Sequence, residues 1–214
     1  TLKPIFLILV DSIFTGALQP DVSIGRINNG ENYGLFLEPT PSETNGEEFV
    51  LGVLSDITFS EESGFHNVPA LPVLIGSPDQ NVIIYYTLDG SEPTTNSLLY
   101  ANNPILIQGN KVLRAASFKV GWISSPIKTS TFILESGDND FPTIFLSTDP
   151  DNFFDYNNGI YEMGPNASED YPHFGANFWE DWEKPIFIEV LETDGTYCSS
   201  PAGVKIFGGW SRGQ

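Results

Sequence analysis

The chain has 214 residues, room for one large domain or two to three small ones. Its 9 Lys+Arg face 28 Asp+Glu, a formal net charge of −19 that excludes charge-driven binding to nucleic acid or to anionic bilayers. Hydrophobic residues at 40% and aromatics at 13% exclude disorder, and the one cysteine excludes an internal disulfide framework or a thiolate zinc site.

In chain order, Ile5 to Val10 is the first apolar run. It is too short to cross a bilayer and no small-residue cleavage site follows it, so it reads as a buried strand. The chain is expected to begin inside a domain and to end inside a longer protein. Pro39-Thr40-Pro41-Ser42-Glu43-Thr44-Asn45-Gly46 is polar and turn-forming, a first boundary. Asn81 to Leu88 is β-branched and aromatic, and ends at the turn Asp89-Gly90-Ser91-Glu92-Pro93. Lys111 to Val120 sends Leu113, Ala115 and Ser117 one way and Arg114, Ala116 and Phe118 the other. Ser130 to Leu134 closes a third strand, and Glu135 to Asp140 is an acidic hinge. Ile186 to Leu191 is a further strand, and Ile206 to Gly209 an apolar end running into a glycine turn. No long segment repeats apolar residues at helical spacing. The expectation is a mostly β chain in three pieces, 1–45, 46–136 and 137–214, with an antiparallel β-sandwich in the middle.

The middle piece carries Phe59-Ser60-Glu61-Glu62-Ser63-Gly64-Phe65, then Tyr85-Tyr86-Thr87-Leu88-Asp89-Gly90-Ser91-Glu92-Pro93-Thr94, then Leu113 to Lys119 and Gly121-Trp122. It resembles the fibronectin-type-III-like sandwich at the C-terminal end of chitobiase-type glycosidases, an accessory or spacer module in that family. The first piece, with Asp11, Gln19-Pro20-Asp21-Val22-Ser23, Gly25-Arg26 and Pro39-Thr40-Pro41, resembles the last strands of a bacterial lamin-tail-like immunoglobulin domain. The third piece runs from Phe141-Pro142-Thr143-Ile144-Phe145-Leu146-Ser147-Thr148-Asp149-Pro150-Asp151 through Asn158-Gly159-Ile160-Tyr161. It continues through Trp182-Glu183-Lys184-Pro185 to Ala202-Gly203-Val204-Lys205-Ile206-Phe207-Gly208-Gly209-Trp210-Ser211-Arg212. That order is similar to the opening of the CotH-type spore-coat proteins, which implies the β-rich start of an atypical, secreted protein-kinase-like domain.

Gly208, Gly209, Ser211 and Arg212 are the candidate phosphate-facing residues. A glycine turn after a strand offers backbone N–H groups to phosphate, and an arginine adds a charge-assisted fork. The same residues also make an ordinary β-turn. Kinase chemistry further needs metal-binding carboxylates and a proton-accepting aspartate, and none is assigned here: no catalytic residue and no metal ligand is expected within this chain. The resemblance implies ATP with Mg or Mn only in the complete protein.

Other candidates are read mainly as structure. Glu169-Asp170 and Glu180-Asp181 have the composition of acid/base pairs but suit a solvated face of an acidic protein. Asp138-Asn139-Asp140, and Asp149 with Asp151 and Asp155, offer oxygen ligands for calcium, though hinge and turn composition accounts for both. Trp179, Trp182 and Phe178 could stack on sugar or pack under a loop. His66 and His173 form no pair, and Gly164 to Asn177 reads as a polar surface loop around His173. Cys198, in Tyr197-Cys198-Ser199-Ser200-Pro201, reads as a partly exposed thiol in a turn. Asn166-Ala167-Ser168 is a glycosylation sequon.

The function implied is that of a segment of an exported, surface-associated multidomain protein. Its complete form would phosphorylate Ser/Thr of extracellular or envelope proteins, and this segment would supply spacers and first strands. The alternative is a non-catalytic adhesion scaffold that contacts polysaccharide. Both place it outside the cell or on its surface, without membrane insertion.

Overall fold

The computed structural model describes residues 12, 18, 21–30, 32–135 and 141–213. The strand expected over Ile5 to Val10, the hinge residues 136–140 and the Asp138-Asn139-Asp140 cluster lie outside the described residues. The architecture is mostly β, as expected, with one four-residue α-helix among the described residues.

The chain divides into two compact units, Thr1–Val53 with Val120–Ile123, and Leu54–Lys119 with Ser124–Gln214. In the first, strands β1 (Ser23–Arg26) and β2 (Tyr33–Phe36) pair antiparallel, Ser23 opposite Phe36. Leu35 bridges to Val50, and Leu51 N–H donates to the Gly121 carbonyl at 2.8 Å. Residues 120–123 thus add a backbone rung to a unit from which they are distant in sequence. Phe36, buried, meets Phe49 with ring centroids 6.5 Å apart.

The second unit holds β3 (Thr58–Phe59), β4 (Gly64–Phe65), β5 (Leu71–Val73), β6 (Ile75–Gly76) and β7 (Ile83–Thr87). It continues with β8 (Leu98–Leu99), β9 (Ile105–Ile107), β10 (Lys111–Phe118) and β11 (Lys128–Ile133). One sheet runs β4-β11-β10-β7-β8, while β3 pairs with β6 and β5 with β9. Every pairing is antiparallel except β4 with β11. The core between these layers joins Ile84, Leu113, Ala115 and Phe132 to Val73, Ile75, Ile105 and Ile107. Val73, Ile107, Leu113 and Phe132 are wholly buried, and burial of each such side chain contributes about 1.5–3 kcal/mol. The alternation read from Lys111 onward holds in part: Leu113 and Ala115 point into this core, and Arg114 lies on the other face, half-buried.

After the sandwich come β12 (Thr143–Ser147), the short helix α1 (Asp151–Phe154), β13 (Lys184–Leu191) and β14 (Tyr197–Val204). They form a three-stranded antiparallel sheet, β12-β13-β14. β13 is the central strand, and β14 pairs with it through all eight of its residues, Pro201 opposite Phe187. The register puts Phe145, Ser147, Phe187, Glu189, Leu191, Tyr197 and Ser199 on one face, and Ile144, Leu146, Ile186, Ile188, Val190 and Cys198 on the other. Cys198 is therefore a strand residue, exposed as expected but not in a turn. A row of Ser and Pro reads as turn chemistry, yet a sheet's outer strand tolerates both.

Candidate functional site

The glycine segment begins four residues after Val204, the end of β14. Gly208 takes φ +134°, a conformation that side chains rarely adopt, and a Cβ there would stand 3.0 Å from Ser211 Oγ. Nothing lies within 4 Å of where a Cβ of Gly209 would be. The chain then tightens into a 3-10 turn, Trp210–Gly213, in which Arg212 N–H donates to the Gly209 carbonyl at 3.0 Å. The structure therefore brings Gly208, Gly209, Ser211 and Arg212 together in one short loop.

Arg212 does not reach outward from that loop. Its guanidinium lies over the Trp179 ring, 5.7 Å from the centroid, and Nη1 donates to the Trp179 carbonyl at 3.4 Å. Its Nε is buried without a hydrogen-bond partner. Trp179 belongs to a second 3-10 turn, Asn177–Trp179, and is itself tied down: its indole N–H donates to the Pro172 carbonyl at 2.8 Å and its ring meets Phe174 at 5.1 Å. Open space thus lies where a Cβ of Gly209 would be, and the arginine fork is turned toward the Trp179 ring.

The ring contacts answer the tryptophan question in favour of packing. Phe178 is buried, Trp179 is half-buried, and Trp182 takes Lys184 over its ring at 5.3 Å. The segment 164–177 differs from a plain surface loop. Asn177 is 3% exposed and its side-chain amide donates to the carbonyls of Tyr156 at 3.0 Å and Gly159 at 3.1 Å, stitching the loop to the turn after α1. A polar residue is inside because its donors are used.

The acidic candidates are occupied by local contacts. Asp149 accepts the Asp151 N–H at 3.0 Å, and Asp155 accepts those of Asn157 and Asn158 at 2.9 and 2.8 Å. Among the described residues, no three His, Cys, Asp or Glu side chains gather where a metal ion would sit. Asp181 pairs with Lys205 at 2.9 Å, and that hydrogen bond holds the Asp181 carboxyl below the usual range and lifts the Lys205 ammonium. Glu180 is exposed beside it, so the pair reads as a solvated face. His173 Nδ1 lies 3.0 Å from the Ser168 carbonyl, and Asn166 of the sequon is exposed. A cleft of ≈ 600 Å³ in the first unit is lined by Glu38, Glu47 and Glu48, and no Lys, Arg or His lines it among the described residues.

One buried polar cluster has no counterpart in the sequence reading. Glu189 on β13 is fully buried. Its carboxylate accepts the hydroxyls of Ser63 and Thr131, from the sandwich, and that of Tyr197, from β14, at 2.9 Å. Ser147 Oγ lies 3.2 Å from Thr131 Oγ1, and Thr131 N–H donates to Ser63 Oγ at 3.2 Å, completing the network. Burial pushes the Tyr197 phenol up. The only local signal was an acidic residue at the inward position of Ile186-Phe187-Ile188-Glu189-Val190-Leu191. Its partners from the sandwich stand 126 and 58 residues away.

Residues 70–129 match the model of the chitobiase/beta-hexosaminidase C-terminal domain. The second unit therefore carries a sandwich of that kind. The match reaches neither the stretch read from sequence as lamin-tail-like nor the one read as CotH-like, and those two readings gain no support from it. No curated protein and no solved structure matches the chain.

Proposed function

We propose that this chain is a non-catalytic stretch of an exported, surface-associated protein, in which a chitobiase-type sandwich carries the opening sheet of a CotH-type kinase-like domain. The observation that carries the reading is the third piece itself. Three antiparallel strands lead into a loop where Gly208 turns sharply, Gly209 leaves space in front of the backbone and Arg212 is adjacent. A loop of this build can cover phosphate oxygens with N–H groups.

The fit to a nucleotide is partial. The Gly208–Gly209 backbone suits a phosphate, whereas Arg212 would have to leave Trp179 to join it. The described residues offer no three-ligand metal group, so no step of phosphoryl transfer is derived from this chain. In the complete protein, ATP with Mg or Mn would supply the phosphoryl group, and Ser/Thr of an extracellular or envelope protein would receive it.

The test is nucleotide binding by the full product of the reading frame, measured by calorimetry with Mg-ATP, beside Gly209→Val. Binding weakened at least tenfold by Gly209→Val supports the reading. A full product that binds no nucleotide overturns it.

A second reading has its own support. The matched family belongs to carbohydrate-active proteins by its printed name, and the sandwich exposes Ile83, Leu98 and Leu99 near one sheet edge, at 51%, 55% and 60%. On this reading the chain is an adhesion scaffold that touches polysaccharide. A glycan panel tests it: retention lost in Leu98→Ser/Leu99→Ser supports it, and no retention on any glycan counts against it.

A further inference from the structure

Two features of the second unit join β12–β14 to the sandwich by chemistry that plain apolar packing does not require. The first is Glu189. Removing a carboxylate from water costs several kcal/mol, and the loss is offset only when hydrogen-bond donors replace the water. Here the donors come from two places, Ser63 and Thr131 on the sandwich and Tyr197 on the sheet. A one-residue slip of β13 would send its carboxylate to the opposite face, so the contact also selects the register. Apolar contact surrounds it: Phe65 and Phe145 approach to 6.2 Å, and a Cβ at Gly64 would stand 3.4 Å from Leu191 Cδ2.

The second feature follows one residue after Ser147 in the chain. Gly90, in the Asp89-Gly90-Ser91-Glu92 turn, lies so close to Thr148 that a Cβ would stand 2.6 Å from the Thr148 carbonyl oxygen. Arg114 supports that turn from within. Its Nη1 donates to the Gly90 carbonyl at 2.8 Å, Nη2 lies 3.6 Å from Glu92, and the charge of Asp149 acts on it as well. Burial lowers its pKa, and a guanidinium kept there despite that cost is held by these oxygens.

We infer that Ser63, Thr131 and the Asp89–Glu92 turn form a docking face for the sheet that follows the sandwich, so that the sandwich fixes that sheet's orientation instead of acting as a free spacer. The partner it fits is β12–β14 of the same chain, recognised by a buried carboxylate and by a carbonyl seated on a glycine. The turn that carries the family resemblance is, in this chain, part of a joint.

The experiment inserts a protease site after Glu135 in the full chain, nicks the folded protein, and follows the two pieces by size-exclusion chromatography. The expected result is co-elution as one species, with the pieces separating in Glu189→Lys and in Gly90→Val. Because either variant could fail to fold, Glu189→Gln is read in parallel, with circular dichroism as the folding check. It keeps the shape, and the pieces should dissociate at least tenfold more readily. Separation of the unsubstituted pieces on nicking overturns the inference. So does co-elution that none of the three substitutions weakens. Nucleotide or glycan binding plays no part in the readout.

Discussion

Tyr197 and Glu189 sit diagonally across β14 and β13, and the Tyr197 phenol donates to Glu189 Oε1 at 2.9 Å. Tyr197 is 40% exposed while Glu189 is wholly buried, so the bond runs from the edge of solvent to an enclosed carboxyl group.

Tyr197→Phe should cost about 1 kcal/mol at pH 7, the typical net value of one hydrogen bond. The folded-state pKa of this phenol lies above its ordinary value. The contribution is therefore fully present below the unfolded value of about 10 and fades as pH rises through the folded one. Denaturant unfolding of the two proteins from pH 7 to alkaline pH checks this: a difference that grows above pH 10 would contradict it.

Gly90→Ala and Gly109→Ala form a matched pair. Both glycines have positive φ, +89° and +70°, but a Cβ at Gly90 meets the Thr148 carbonyl at 2.6 Å, and one at Gly109 meets nothing within 4 Å. The backbone term alone is about 1 kcal/mol, so Gly109→Ala should lose about that much and Gly90→Ala about 2–3 kcal/mol more through overpacking. Thermal melts of both variants measure the difference, and equal losses would contradict the expectation.

Lys205→Ala should let the Asp181 carboxyl titrate closer to its ordinary value. The carboxyl is depressed first by the hydrogen bond from Lys205 and then by its charge. A group of this kind adds stability above its unfolded pKa and loses it as pH falls through the folded one. The pair is exposed and salt-screened, so its effect on stability should be close to nil. Carbon-detected NMR titration of the carboxyl in both proteins measures the change directly.

Arg212→Ala should shift tryptophan emission to the red, because the guanidinium covers the Trp179 face and bonds its carbonyl. The stability cost should be about 0.5–1 kcal/mol, the range for a cation over an aromatic ring near the surface. Unchanged emission would mean that Arg212 faces away from the ring in solution.

The sandwich was legible because its strands announce themselves locally. Asn81 to Leu88 is β-branched and bounded by turn residues, and β7 occupies Ile83–Thr87 inside it. Ser130 to Leu134 likewise contains most of β11, Lys128–Ile133. Cys198 was misplaced for the complementary reason: its neighbours have turn chemistry, and only pairing with Val190 on β13 makes them a strand. The glycine loop could be named from sequence, but the direction of Arg212 could not, since Trp179 lies 33 residues away. Glu189 was illegible as a centre of contacts because a carboxylate in an apolar strand has meaning only once the distant hydroxyls are in place.

Pro201 has a consequence for how many copies can share a crowded space. β14 forms the rim of its sheet among the described residues, and rims invite a neighbouring molecule's strand to add on. A proline there contributes no amide hydrogen, which breaks the row of donors that fibre growth would extend. With a net charge of −19 on every molecule, mutual repulsion guards the same rim at long range, so dense arrays of this protein should stay dispersed instead of stacking edge to edge.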